Sequence, residues 1–267
     1  MHPELFRIGP LAVHSYGLML AISFVVGIFL ASKLAEKRGI KGDEIVNLGF
    51  VIIVSSVIGA RLFYVLFHLD EFRGRWIYTF WPVQEDGTVG LGGLILLGGV
   101  IFAFIAGALY IRRKKMRFLP VADSLVPGLA FGIFLTRIGC FLNGCCFGKA
   151  CDLPWGVVFP EHSPAGAVLP GIHLHPTQLY SSAYGLIIFF ILIFLEKREK
   201  NDGLLLGTFL VLYGISRFTV DFFRYYESQM FLFAGLDFNQ VVSLLMLIAG
   251  ATLLYFRLKL AKGSAEK

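Results

Sequence analysis

Charge is scarce in this chain. Asp, Glu, Lys and Arg make up 16% of its 267 residues, while hydrophobic residues make up 57% and the mean hydropathy is +0.74. Soluble domains carry about 25% charged residues to cover their surface, so a soluble globule is excluded. Other absences narrow the field. No C-x-x-C pair occurs among the four cysteines, Cys140, Cys145, Cys146 and Cys151, and Cys145 directly abuts Cys146. That spacing is awkward for a tetrahedral zinc site and poor for a paired thiol-redox motif. The last apolar stretch contains no lysine, which excludes a retinal Schiff base there. The two halves show no matching broken helices of the kind many transporters use, and there is no low-complexity tract or clear repeat. No small-residue cleavage site follows the first apolar run, which therefore reads as an uncleaved anchor. Nothing points to nucleic acid, because a net charge of +6 in such a chain mostly reports loop bias.

What the chain does have is apolar length. Seven segments approach the span of a bilayer: 16–34, 46–67, 91–111, 121–139, 180–195, 204–222 and 239–257. The expected fold is an all-α polytopic membrane protein of seven transmembrane helices. Lys and Arg alternate cleanly between connections. One side holds sixteen: Lys33, Lys37, Arg38 and Lys41; Arg112, Arg113, Lys114, Lys115 and Arg117; Lys197, Arg198 and Lys200; Arg257, Lys259, Lys262 and Lys267. The other holds five, Arg7, Arg73, Arg75, Lys149 and Arg224. The richer side is the cytoplasmic one, which predicts an outside N-terminus and an inside C-terminus. Two outside connections, 68–90 and 140–179, are long and carry Trp76, Trp81 and Trp155, suited to the headgroup belt. The second is long enough for a small extracytoplasmic lobe, with a hairpin expected around Trp155–Phe159.

Three arginines remain, Arg61, Arg137 and Arg217, each in the outer third of an apolar segment. An arginine at membrane depth costs roughly 2.5–3.5 kcal/mol on insertion scales. Snorkelling to the headgroups is the plain explanation. Against it, His14, Tyr16, His175, Thr177, Gln178, Tyr180 and Gln240 open other segments at the same level. The stretch from Leu135 to Gly156 adds Gly139, Asn143, Gly144 and Gly148, small or donor-bearing residues that a lipid-facing helix end does not need. Together these read as the floor of a site for an anionic lipid headgroup. Arg217 and Asp221 stand i, i+4 and are expected to pair on one helix face. Gly92-Gly93 and Gly98-Gly99 read as close helix packing. The cysteines read as small packing residues or a disulfide such as Cys146–Cys151.

Five ordered blocks then carry a resemblance. The run Arg137, Ile138, Gly139, Phe141, Leu142, Asn143, Gly144 and Gly148 is similar to the signature of the phosphatidylglycerol–prolipoprotein diacylglyceryl transferases. So are Ile8–Leu18 with His14 and Tyr16, Gly59–Phe67 with Arg61, His175–Tyr180, and Tyr213–Arg224. The resemblance covers nearly the whole chain and implies a single membrane-embedded transferase domain, 1–267, with an insertion at about 140–179. The implied reaction moves an sn-1,2-diacylglyceryl unit from phosphatidylglycerol to the lipobox cysteine of a preprolipoprotein signal peptide. It implies a multi-pass protein of the bacterial plasma membrane, among membrane lipids, with its active site toward the outer face and neither metal nor organic cofactor. Arg137 and Arg217, with His14 and Tyr16, become the expected catalytic groups. Arg61, Asn143, Gly144, Gly148, His175, Gln178, Tyr180 and Asp221 join Arg137 in substrate binding.

The chain departs from the family pattern at four places. Leu97 stands where members have histidine or tyrosine, Cys140 replaces the signature asparagine, Cys145 its glutamate, and Ser181 a further glutamate. A histidine at 97 would be the natural general base, so the proton acceptor is left open among His14, Tyr16 and His175. The competing reading is a relative with altered activity, such as an anionic-lipid transporter or a thiol-redox protein.

Overall fold

The computed structural model describes residues 4–8, 11–74, 76–79, 93–198, 201–226, 231–233 and 235–265. Arg75, Trp81, Gly92, Lys200 and Lys267 lie outside the described residues. Seven helices are long and apolar enough to cross a membrane: α1 (Ser15–Lys37), α2 (Gly42–Phe67), α4 (Leu96–Arg113), α5 (Phe118–Asn143), α7 (Thr177–Arg198), α8 (Leu204–Asp221) and α9 (Phe238–Ala265). Between them lie two short helices, α3 (Leu69–Phe72) and α6 (Pro164–Val168), and a 3₁₀ turn at Trp76–Thr79. The expected segments are all present, generally lengthened by a few residues. The third begins at Leu96 rather than 91, and the sixth ends at Asp221, one residue short of 222.

α5 is the hub, packing against α1, α7 and α8, while α2 pairs with α4 and α8 with α9. Lipid is as apolar as the helices, so water gives no drive for helices to associate, and packing depends on close backbone approach. Glycines supply it. A Cβ on Gly128 of α5 would lie 2.5 Å from the Gly27 carbonyl of α1, and one on Gly59 of α2 an equal 2.5 Å from the Gly98 carbonyl of α4. Gly250 of α9 meets the Gly207 carbonyl of α8 in the same way. The Gly98 contact is the helix packing expected of the second glycine pair. The outer faces leave Phe50, Phe104, Phe190 and Leu245 exposed, as a lipid-facing surface requires.

Two strand pairs were not foreseen. β1 (Glu4–Ile8) runs antiparallel to β2 (Leu11–His14) and leads directly into α1, and β3 (Phe231–Phe233) pairs with β4 (Leu236–Asp237) just before α9. Asp237 and Gln240 then form a reciprocal capping box. The Asp237 carboxylate accepts from the Gln240 N–H at 2.8 Å, and the Gln240 side chain accepts from the Asp237 N–H at 3.1 Å. The polar character of Gln240 is thus explained by the start of its helix.

The lobe between α5 and α7 spans residues 144–176 and has its own small core of Phe159, Ala165 and Leu174, backed by Phe141 and Phe147. The hairpin expected around Trp155–Phe159 does not form. Val157 and Ala150 both bridge to Leu174, across the lobe. The local sequence holds no tight-turn pair that would fold it back on itself, and the apolar Leu174 draws both segments inward.

At the end of the bundle away from Arg137, a buried ionic cluster ties four helices together. Arg38 follows α1, Asp123 lies on α5 and Glu196 on α7. Arg38 pairs with Asp123 at 3.3 Å, with Asp202 at 3.6 Å and with Glu196, and its side chain is 5% exposed against 0% for Asp123. Asp123 also accepts from the N–H groups of Gly203 (2.7 Å) and Leu206 (2.8 Å), capping α8 from another helix. Asp123→Ala would strip these caps and unbalance the arginine. We predict a loss of about 3–5 kcal/mol, the cost of breaking a buried pair, with Asp123→Asn recovering part. Thermal unfolding in detergent checks this, and an unchanged midpoint for the alanine variant would show that the cluster does not hold the bundle.

Candidate active site

The chain leaves α5 through a Schellman turn. Gly144 takes a left-handed φ of 75°, its N–H donates to the Phe141 carbonyl, and the Cys145 N–H reaches back to the Cys140 carbonyl at 3.1 Å. A Cβ on Gly144 would lie 2.7 Å from Ser163 Cβ, so the lobe also depends on the bare backbone there. Cys146 adopts φ 61°, unusual for a residue with a side chain. The start of α7 holds this turn in place. Thr177 Oγ1 donates to the Cys146 carbonyl at 2.9 Å and Gln178 Nε2 to the Cys145 carbonyl at 2.8 Å.

Gly148 is threaded between two other strands. Its N–H donates to the His175 carbonyl, the Lys149 N–H donates to the Phe223 carbonyl, and the His175 N–H returns to the Lys149 carbonyl. A Cβ on Gly148 would come within 2.5 Å of His175 Cβ. Three of the sequence blocks therefore meet in a single backbone lattice. His175 Nδ1 lies 3.2 Å from the Tyr180 hydroxyl, which accepts from Trp155 Nε1 at 2.8 Å. The His175 ring packs tilted on Phe223.

Arg137 lies about two helical turns before the left-handed Gly144. Cys140, Tyr184, Cys146 and Tyr213 lie within its electrostatic reach, and among the described residues no carboxylate pairs with it. Gly139 lets the start of α1 come in close, with Tyr16 Cα 3.2 Å from where a Cβ would be. Tyr16 accordingly lies within electrostatic reach of Cys140, Cys145, Cys146 and Arg137. Asn143 is the last residue of α5, within reach of Cys145.

Arg217 is fully engaged. It pairs with Asp221 as the i, i+4 spacing predicts, and its other terminal nitrogen donates to the Tyr226 hydroxyl at 3.1 Å. Tyr226 donates to Asp221 at 2.6 Å and accepts from Asn239 Nδ2 at 3.1 Å. Burial first, and then the Asp221 hydrogen bond, push the Tyr226 phenol up, so it stays a donor. The Asp237 carboxyl is likewise raised by burial and by Asp221. Arg61 is engaged elsewhere. It donates to the carbonyls of Thr79 (2.6 Å) and Gly93 (3.2 Å) and lies over the Tyr64 and Phe72 rings. This arginine pins the connection between α2 and α4. His14 is exposed at the head of α1, with no capping hydrogen bond. Leu97 is exposed in the first turn of α4.

Two groups escaped the sequence reading as site residues. Arg224 bridges Gly148 and shares the neighbourhood of Cys146 with Arg137; its Nε is buried without a hydrogen-bond partner. Tyr184 lies beside Arg137 on α7. Gln178 Oε1 is also buried and unpartnered. Buried polar groups are normally satisfied, so a cluster of exceptions around one unpaired guanidinium marks a place built for a polar ligand. Arg224 was legible as the closing arginine of the Tyr213–Arg224 block, but Tyr184 carries no signal in an apolar run. The four cysteines are free thiols, and Cys146 clusters with Cys140 and Cys145. The Cys146–Cys151 disulfide is therefore not formed, because the left-handed Cys146 turns back toward α5.

The sequence profile of the family described as prolipoprotein diacylglyceryl transferase matches residues 3–256. The phosphatidylglycerol–prolipoprotein diacylglyceryl transferase of Geobacter sulfurreducens is 33% identical over 255 residues, covering 94% of this chain and 93% of that protein. Those of Vibrio cholerae (36% over 262 residues, 96% and 92%) and Proteus mirabilis (38% over 269 residues, 93% and 89%) bear the same name. Matched along nearly all of its length, with seven helices and the signature stretch gathered at one end of them, the chain belongs to the prolipoprotein diacylglyceryl transferase family.

Proposed function

We propose that this protein transfers the sn-1,2-diacylglyceryl group of phosphatidylglycerol to the lipobox cysteine of a preprolipoprotein, the activity named for its relatives. The observation that carries this reading is Arg137, a guanidinium in an apolar bundle with no acid paired to it among the described residues and with Arg224, whose Nε is unsatisfied, sharing the neighbourhood of Cys146. Such a pair of cations suits a phosphate, which accepts several donors at once. In the reaction the peptide thiolate attacks the glyceryl carbon that bears the phosphate. The C–S bond forms, the C–O bond breaks, and the bonding pair leaves on the oxygen of glycerol phosphate. The leaving group gains charge as it departs, so fixed cations beside it lower the barrier. Arg217, neutralised by Asp221, contributes by holding Tyr226 and the end of α8 in place. The thiol proton goes to Tyr16, His14 or His175, and Tyr16 lies within charge reach of Arg137.

In this reading the Arg137 end of the bundle faces outward in the bacterial plasma membrane, where lipid and signal peptide both arrive laterally. The support is the sixteen-to-five split of Lys and Arg. Reporter fusions after Arg117 and after Lys200 should be cytoplasmic, and one after Ser163 exported. An exported Arg117 fusion would invert the arrangement.

Arg137→Ala should cost about 2.7–4 kcal/mol, about 10²–10³ in rate, as for other preorganised oxyanion donors. Arg137→Lys should recover only part, since an ammonium keeps the charge but loses the planar fork. The measurement is transfer of labelled diacylglyceryl from phosphatidylglycerol to a lipobox peptide by purified, folded protein. Wild-type transfer by Arg137→Ala would sink the assignment.

The double change Cys145→Ser, Cys146→Ser should keep more than about a tenth of the rate, because the substrate brings its own thiol. Loss of a group that moves the proton would cost about 10²–10⁴. A loss of that size in a folded variant would return these cysteines to the chemistry.

A further inference from the structure

The adjacency of Cys145 and Cys146 makes a poor metal motif on paper, but the backbone changes the geometry. With Cys146 in the left-handed region and the Schellman turn folding Cys145 back on Cys140, the three Sγ atoms all lie within 4.8 Å of one another. Cys140 is buried, while Cys145 and Cys146 are half-buried and reachable. The arrangement is also held from outside itself. Thr177 and Gln178 fix the carbonyls of Cys146 and Cys145, and the Cys145 N–H fixes the distance to Cys140. Cys151 takes no part.

We infer that Cys140, Cys145 and Cys146 form a binding site for a thiophilic d¹⁰ cation, zinc or copper(I), and that its occupation competes with an anionic headgroup for Arg137 and Arg224. Thiolate sulfurs select these ions over hard cations. A zinc–sulfur bond of about 2.3 Å sets tetrahedral sulfurs about 3.8 Å apart. Sulfurs within 4.8 Å of one another need draw in by about 1 Å at most to reach that spacing, their thiol protons passing to solvent, and a fourth position is left for water or another ligand. Charge balance decides the rest. Three thiolates on a divalent ion make a complex of net charge −1, and with copper(I) −2. Arg137 and Arg224, both within charge reach of Cys146, compensate that anion. A guanidinium engaged in this way is no longer available to a phosphate. Binding of the metal needs nothing beyond the cysteines and arginines, whereas the competition rests on the reading of Arg137 as a phosphate ligand.

The test uses the full-length protein, purified in a neutral detergent with its thiols reduced, and zinc titrated against a chromophoric chelator. One zinc per chain is expected. Each of C140S, C145S and C146S should weaken binding about tenfold or more, with C151S unchanged and the melting temperature monitored for each. Cobalt(II) added to the wild type should give a thiolate-to-metal charge-transfer band, a readout that needs no variant. Absence of stoichiometric zinc on the reduced, folded wild type overturns the site, as does undiminished binding by the three serine variants. Phosphatidylglycerol micelles should weaken zinc binding where phosphatidylcholine micelles do not. Zinc should in turn slow diacylglyceryl transfer by the wild type but not by C145S/C146S. Zinc binding indifferent to phosphatidylglycerol overturns the competition. If no transfer is found under any condition while zinc binds through the three cysteines, the proposed function fails and the metal site stands.

Discussion

A guanidinium carried into an apolar bundle must be neutralised or hydrogen-bonded, and this protein solves that requirement differently at each of its inner arginines. Arg38 is enclosed by Asp123, Glu196 and Asp202. Arg217 is held by Asp221 and Tyr226, and Arg61 gives its protons to backbone carbonyls. Each solution fastens one element to another. Arg137 alone of these four lacks such a partner among the described residues. Deletion of a paired arginine leaves an orphan acid or loosens a helix, whereas an unpaired one is retained at a cost that packing does not return. The contrast within a single chain is what separates ligand binding from structure here.

The loop after α5 shows how that one arginine is presented. Glycine at 139 admits the start of α1, and glycine at 144 permits the left-handed turn. Glycine at 148 lets the chain pass between the His175 and Phe223 backbones. These positions bring Tyr16, the Thr177–Gln178 pair and Arg224 from three separate parts of the chain around Arg137. The capped, hydrogen-bonded loop is rigid, as charge stabilisation requires, because a site that reorganises during reaction loses most of its electrostatic advantage. Rigidity at this end is matched at the other by the Arg38 cluster, so α1, α5, α7 and α8 are fixed at both ends.

Much of the fold was legible in the sequence because the governing physics is local. Twenty apolar residues span a bilayer whatever surrounds them, and the Arg217–Asp221 pair follows from helical spacing alone. What escaped depends on residues distant in sequence. Asp123 looks like a lone acid in an apolar run, since the N–H groups it caps lie some eighty residues away. Leu174 gives no hint that Ala150 and Val157 will both bridge to it. Of the candidate site, the closeness of the signature stretch to the start of α1 at Tyr16 is what the shared level of these residues in the sequence suggests. Gln178 and Gly148 were readable as important, but their observed work is to hold backbone. Arg61 likewise serves the connection between α2 and α4, a role that its position in an apolar segment could not reveal.

The replacements at 140 and 145 bear on how the chemistry is shared out. Asparagine and glutamate at those positions would place an amide and a carboxylate beside Arg137, and the carboxylate would neutralise part of its charge. With cysteine at both, Arg137 has no carboxylate partner among the described residues, which in the proposed reaction makes it a stronger attractor for the phosphate. The same change takes a carboxylate out of the loop, and Leu97 stands on α4 where a histidine would be the natural general base. Proton transfer is then left to groups that α1 and the start of α7 bring in, and of these Tyr16 is the one whose backbone packs directly on Gly139. In the proposed reaction the substitutions thus move proton transfer from the loop to the helix packed against it, across the Gly139 contact.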